Sequence, residues 1–292
     1  MRNITVIIPT YNRSKELIVT IPSYIKSKYV YEIIFVNNGS IDNSGDVIQS
    51  FKDNKEGVII TEIVVKERVG APRAREIAFN SVNTDYILLG EDDVYLSDVY
   101  TEVLMNYIIN EKIDFISGRL INVKIKNIKN INNELIIAGK SEGDFFPQDH
   151  FPFIVESRIL ENSLIEVPYT HIIILMKKDI TNNINVDKWY SNGNGYREDT
   201  DFILQARLKG FRLFYTSMTD CYHLRGIMSR SGGQRINRII VEFYSIYNTY
   251  YMLKKFWKIL SKDFNLKFNP LISTTQYAYY RWKYYFIKIL GI

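Results

Sequence analysis

Three consecutive acids, Glu91-Asp92-Asp93, close the apolar run Ile87-Leu88-Leu89-Gly90. Such a run reads as a buried strand, and unpaired carboxylates at the end of a buried strand are costly. The usual compensation is a hard divalent cation, because Mg²⁺ and Mn²⁺ prefer carboxylate oxygens. In open α/β sheets, ligands gather at the carboxyl ends of the strands, so the position points to a metal site in a cleft. The alternative is a solvated acidic loop, or a helix start with acids in its first turn. A second acidic group, Glu198-Asp199, follows the glycine-punctuated stretch from Trp189 to Arg197, which includes Gly193 and Gly195. Acids there are commonly capping residues. A lone histidine, His223, follows a strand-like run. Such a residue is usually not a ligand, but a hard-metal site with one carboxylate often needs a further protein group.

The elements that must carry these residues alternate. Apolar runs at Ile4–Ile8, Glu32–Val36, Gly57–Val65, Tyr86–Leu89 and Asp114–Ser117 read as strands. Helical patterns lie between them at about 14–26, 42–52, 71–82 and 97–110, so βαβ units and a mostly parallel sheet are expected. The stretch Asn122 to Glu134 loses the alternation and reads as an antiparallel hairpin or an insertion. Ser141 to Pro152 reads as a loop. Ile172–Met176 is a further strand, Asp199 to Lys209 a helix and Phe211–Thr216 a strand, and the pattern is helical from Arg235 onward.

Two polar turns follow the first two strands: Pro9-Thr10-Tyr11-Asn12-Arg13 and Asn37-Asn38-Gly39-Ser40. On parallel strands they face one edge of the sheet, where a nucleotide would lie. Asn38 offers donors and acceptors to a base edge, although Asn-Gly is also a generic turn pair. Gly70-Ala71-Pro72 opens a helix whose first turns carry Arg73 and Arg75. A helix N-terminus with added guanidinium groups favours anions, a pyrophosphate among them.

The 292 residues, 46% hydrophobic and 24% charged, have ordinary globular values and suffice for one large domain, or one domain plus an appendage. Cys221 is the single cysteine, which excludes an intramolecular disulfide framework and fits a reducing compartment. No secretory leader and no membrane-spanning run is expected. The net charge of +5 is uneven: from Ile227 to Ile292, eleven Lys and Arg face two acids, and 16 of the 41 aromatic residues lie there. Basic and aromatic residues without long apolar runs suit a membrane interface or a polyanion. A helical hairpin packed on the catalytic unit or on a second subunit is the equal alternative.

Taken in order, these motifs resemble the inverting glycosyltransferases of family 2. The opening stands as Val6-Ile7-Ile8-Pro9-Thr10-Tyr11-Asn12-Arg13 and the base-binding turn as Asn37-Asn38-Gly39-Ser40. The Gly-x-x-x-Ala-Arg-Asn signature stands as Gly70-Ala71-Pro72-Arg73-Ala74-Arg75-Glu76. The acidic motif stands as Glu91-Asp92-Asp93 and the Glu-Asp pair as Glu198-Asp199. Glu76 and Glu91 depart from the family's usual Asn and Asp. The resemblance implies a GT-A fold, with a Rossmann-like sheet flanked by helices over residues 1–225 and a helical tail over 226–292.

It also implies metal-dependent transfer of a sugar from a nucleotide-diphosphate sugar to an acceptor hydroxyl on a glycan, glycolipid or lipid-linked acceptor. Asp93, with His223, would hold Mn²⁺ or Mg²⁺. Pro9, Tyr11, Asn12, Arg13, Asn38, Gly70, Arg73, Arg75, Glu91 and Asp92 would face the donor. Asp199 would act as general base, with Glu198 orienting acceptor hydroxyls. Trp189 and Gly195 fall on the acceptor side, and core packing is the other reading of Trp189. The expected location is cytoplasmic, with a peripheral place at the inner face of the cell membrane left open by the tail, as is a homo-oligomer. Two rival functions compete with this reading. A nucleotidyltransferase would need a glycine-rich, lysine-bearing loop after the first strand, which Pro9-Thr10-Tyr11-Asn12 is not. A basic polyanion-binding protein would leave the acidic sites unexplained, so nucleic acid is not an expected partner.

Overall fold

In a computed structural model of the chain, the residues described are 2–125, 131–139, 157–160, 163–191, 195–225 and 238–290. The first half is the βαβ alternation that the sequence dictates. β1 (Ile4–Thr10), α1 (Ser14–Lys26), β2 (Val30–Asn38), α2 (Ser44–Ser50), β3 (Ile59–Val65), α3 (Ala71–Phe79) and β4 (Tyr86–Leu89) follow in turn. The four strands are parallel in the order β3-β2-β1-β4. Strands buried on both faces need continuous apolar runs. Ile4, Val6, Ile7, Ile33, Ile34, Phe35 and Ile87 to Leu89 supply them, all fully buried. Full burial of each such side chain contributes about 1.5–3 kcal/mol.

Past β4 the sheet becomes mixed. β5 (Val94–Leu96), α4 (Tyr100–Asn110), β6 (Phe115–Lys124), α5 (Ile131–Gly139), β7 (Ile165–Glu166) and β8 (Ile174–Lys177) precede α6 (Glu198–Leu208) and β9 (Leu213–Arg225). β8 lies antiparallel between β4 and β6, β6 and β9 are parallel, and β5 and β7 run antiparallel to β9. The wholly apolar Ile174-Leu175-Met176 lets β8 take that central place. The sheet is therefore parallel on the side that the first four strands build and mixed on the other.

Two stretches differ from the sequence reading. β6 runs on to Lys124, and residues 131–139 form a helix rather than half of a hairpin. Ile131, Leu135 and Ala138, spaced for one helical face, pack on Ile121, Val123 and Leu224. The expected loop at 141–152 lies outside the described residues. β9 is also longer than expected and carries His223 within the strand.

The tail forms two helices, α7 (Arg238–Asp263) and α8 (Pro270–Leu290). Met252, Leu253, Phe256, Leu260 and Leu266 close a core of their own around Leu204 of α6. The opposite side of α6, through Phe202, Ile203 and Ala206, belongs to the main core. No helix among the described residues is long and apolar enough to cross a membrane.

Candidate active site

The acidic triple forms the loop between β4 and β5, and α1 shapes it. A Cβ on Gly90 would meet Ile8 Cγ1 at 3.0 Å and the Tyr24 ring at 3.2 Å, so glycine lets the chain turn under the helix. The Tyr24 hydroxyl donates to the Glu91 carbonyl (3.0 Å) and accepts the Glu91 N–H (3.2 Å). Thr20 Oγ1 donates to the Asp92 carbonyl at 2.9 Å. Arg13, expected to face the donor, is buried among acids. Its Nη2 lies 3.3 Å from Asp93 Oδ2, its Nε 3.4 Å from Asp92 Oδ1 and its Nη1 3.5 Å from Glu16 Oε1.

Strand register brings His223 to the triple. β9 pairs His223 with Val94 of β5 and with Asn122 of β6, and Leu224 N–H donates to the Asp93 carbonyl. His223 Nε2 lies 3.4 Å from Asp93 Oδ2, while Nδ1 lies 3.1 Å from Asn122 Oδ1. An amide oxygen accepts, so Nδ1 carries the hydrogen and Nε2 is the nitrogen turned to Asp93. Burial works to raise Asp93, but the hydrogen bond and charge of His223, with Arg13, outweigh it and hold this carboxyl below the usual range. Burial also opposes the imidazolium, yet Asp93 raises His223. Burial, reinforced by Asp93, pushes half-buried Glu91 up to about 7 and raises Asp92 well above the usual range. Glu16, Glu91, Asp92 and Asp93 thus share this pocket with Arg13, His223 and Arg75. Carboxylate oxygens beside an oriented imidazole nitrogen fit a divalent cation. Among the described residues no three such side chains form a cage.

α3 and α6 close the opposite side. Arg75 is buried, bonds to Glu198 and lies 4.0 Å from Glu91 Oε1. Arg73, two residues earlier and so on the other side of the helix, is exposed and paired with Glu76. Of the two arginines read as anion-binding, the cleft receives only Arg75. Burial raises Glu198 while Arg75 lowers it. Arg75 therefore bridges the two acidic motifs, and the charges of Asp93, His223, Arg75 and Asp199 bear on Glu91. Asp199 Oδ1 accepts from the Thr200 N–H at 2.7 Å. Arg197, just before the Glu-Asp pair, is in the left-handed region (φ 72°). Gly195 is left-handed too, and its carbonyl accepts the Glu198 N–H at 3.1 Å. Trp189 lies flat on Tyr251 (centroids 4.2 Å apart) and on Tyr247, so tail rings take up its stacking. Residues 192–194 of the glycine-punctuated loop lie outside the described residues.

Hydrogen bonds staple the turns after β1 and β2 together. Asn12, at φ 52°, accepts the Ile41 N–H (2.8 Å), and its own N–H donates to Ser40 Oγ (3.0 Å). Asn38 Oδ1 accepts the Val69 N–H at 2.8 Å, setting the approach to Gly70 (φ +83°), where α3 begins. Tyr11 stacks under Arg68, 4.5 Å from ring centroid to guanidinium carbon, beside partly buried Pro9.

Sequence reasoning missed Asn122, Arg197 and the tail residues that grip α6. Arg197 could have been flagged by its place beside Glu198. Asn122 could not, because only the β6–β9 register brings it to His223.

An α/β sheet with acids at its strand ends and a carboxylate pair facing them is an arrangement found in group-transfer enzymes. The chain belongs to glycosyl transferase family 2, whose family model matches residues 5–167, more than half of its length. It is 29% identical over 122 residues to the glycosyltransferase GlyG of Streptococcus pneumoniae, covering 41% of this chain and 39% of that protein. It is 23% identical over 226 residues to the poly-β-1,6-N-acetyl-D-glucosamine synthase of Staphylococcus aureus, covering 77% of this chain and 50% of that one. The chain spans half or less of the length of these curated relatives. Its fold is that of S. aureus TarS 1–349 in complex with UDP-GlcNAc (TM-score 0.60, 15% identity, 93% of this chain and 69% of that one). The fold is shared with the Pyrobaculum calidifontis mannosyltransferase PcManGT, in complex with GDP-Man and Mn²⁺ (TM-score 0.56, 13% identity, 89% and 64%).

Proposed function

We propose that this chain transfers a sugar, with inversion, from a nucleotide-diphosphate sugar to a hydroxyl of a glycan or lipid-linked acceptor. The observation that carries the reading is the place of Arg75, which bonds to Glu198 and lies 4.0 Å from Glu91 Oε1, so that one buried arginine links the two acidic motifs. This supports an acidic donor end at Glu91 to Asp93 facing the Glu198-Asp199 pair. Asp93 and His223 would hold a divalent cation, Mn²⁺ or Mg²⁺, which when bound compensates the charge of the leaving diphosphate. Asp199 receives the acceptor's hydroxyl proton as the new bond forms. Arg75 fixes Glu198 toward the acceptor and tempers the charge of Glu91. Asn12, Asn38 and the Tyr11–Arg68 stack frame the nucleotide end of the cleft.

The tail supports a second contact, with anionic lipid at a membrane surface. Phe243, Tyr247, Tyr279, Tyr280 and Trp282 are exposed, as are Lys254, Lys258 and Lys262. Aromatic rings beside lysines suit a headgroup layer.

UDP-GlcNAc and GDP-mannose, the donors held by the structural neighbours, are the first probes. Asp199→Asn is expected to lower turnover at least about 10²-fold, within the range for losing a general base, while calorimetric nucleotide affinity stays within about twofold. Equal loss of both would remove Asp199 from the role of base.

A further inference from the structure

Asp199 lies midway between two residues that the tail holds. Two residues before it, Arg197 keeps a left-handed backbone (φ 72°, ψ 8°) with no side-chain cap. For a non-glycine residue this costs on the order of 1–3 kcal/mol and persists only where surroundings impose it. The surroundings are Thr249 of α7, whose Oγ1 accepts from Arg197 Nε at 3.3 Å, and the rings of Tyr169, Tyr196 and Tyr277, 5.1–5.5 Å from the guanidinium. Tyr277 is on α8; its hydroxyl donates to Tyr196 Oη at 2.7 Å and accepts from Arg281 Nη1 at 2.8 Å.

Two residues after Asp199, Asp201 is buried, at 1% exposure. Lys255 of α7 donates to both of its oxygens, at 2.9 and 2.8 Å, and to Asp187 at 2.6 Å. The contact of α6 with α3 leaves a cavity lined by Pro72, Arg75, Phe79, Glu198, Asp201 and Phe202. α3 grips α6 through Arg75 and Glu198, and α7 grips it one turn further on through Lys255 and Asp201.

We propose that the α7–α8 hairpin is a positioning element of the active site, with Lys255 and Tyr277 setting the first turn of α6 and hence the aim of Glu198 and Asp199. This rests on the transferase reading above. It makes the tail part of the catalytic constellation, whatever its outer face touches. A displacement of about 1 Å at a reacting group can cost about 10²-fold in rate, so a small change in roll reaches turnover without touching the nucleotide loops.

The test uses the full chain and the variants Lys255→Met, Lys255→Arg and Tyr277→Phe. Lys255→Met is expected to lower kcat at least about tenfold, with donor KM and calorimetric UDP or GDP affinity in Mn²⁺ within about twofold. Lys255→Arg, which keeps the charge, is expected to recover most of the loss. Hydrogen exchange reads the protein directly: amides 197–202 should exchange about tenfold faster in Lys255→Met, with those of residues 4–10 unchanged. Tyr277→Phe keeps the ring and removes only the hydroxyl, and carries the same test should Lys255→Met fold poorly. Unchanged kcat and unchanged exchange at 197–202 in a folded variant overturn the proposal. So does nucleotide affinity that falls in step with kcat. A fully active Asp199→Asn would instead sink the transferase site, leaving the exchange result to decide the positioning of α6.

Discussion

Replacing Arg75 with methionine keeps an unbranched side chain and removes the cation that, among the described residues, bonds to Glu198. Both side chains are largely shielded from water, at 6% and 15% exposure. Breaking such a pair and leaving the carboxylate charged costs about 3–5 kcal/mol. The carboxyl has an escape, because it can take a proton. Starting from an ordinary value of 4.5, protonation at pH 7 costs about 3.4 kcal/mol, and this caps the deficit. The sign follows. In the variant the folded state keeps a proton that its unfolded state has released, so lowering the pH favours the folded variant. The deficit is near its cap at pH 7 and falls to about 0.7 kcal/mol at pH 5. For a chain of this length the unfolding entropy is about 0.6 kcal/mol per degree, so the Tm should drop by about 6 °C at pH 7 and about 1 °C at pH 5. Thermal unfolding followed by circular dichroism at both pH values measures this. Equal drops at the two pH values would refute the argument, since the loss would then come from packing of the arginine stem and not from the stranded carboxylate.

Other outcomes follow from the same geometry. Asp93→Ala should weaken nucleotide binding in Mn²⁺ at least about tenfold and leave metal-free binding unchanged, as calorimetry can read; identical losses with and without the metal would exclude Asp93 as its ligand. His171 is buried neutral, with Nε2 donating to the Gly118 carbonyl and Nδ1 accepting from the Ile173 N–H. Burial lowers it to about 4 from 6.5, so its contribution is intact above pH 6.5 and about 3.4 kcal/mol is lost as the pH falls to 4. In urea titrations His171→Asn should flatten that part of the pH dependence, and an unchanged slope would contradict it. The full chain should float with anionic vesicles more than with neutral ones, and a combined Phe243→Ser, Tyr279→Ser, Trp282→Ser variant should lose most of that binding. Truncation is the poorer test, because removing α7 uncovers Leu204.

Much of the fold was legible in the first ninety residues, where each buried strand is a single apolar run and each turn after it is polar. Local periodicity is enough there, because parallel strands covered on both faces leave few other ways to bury those runs. The second half was less legible. β8 is as apolar as β4, but nothing in Ile174-Leu175-Met176 states that it runs against its neighbours. The helix at 131–139 is short and weakly amphipathic, and it holds because Ile121, Val123 and Leu224 wait beneath it.

For the site, the sequence by itself determined which residue types stand at the strand ends and before α6, because those positions follow from chain order and turn chemistry. It could also determine that Arg73 and Arg75 face opposite sides, since two residues turn a helix by about 200°. Only the packing of α3 decided that Arg75 enters the cleft. Only the register of β9 between β5 and β6 set His223 against Asp93 with Asn122 behind it. And only tertiary contacts more than fifty residues apart in the chain turned a basic, aromatic tail into the support of the helix that carries Asp199. Register, helical phase and long-range ion pairs are set by the balance of the whole core, so no local window of sequence contains them.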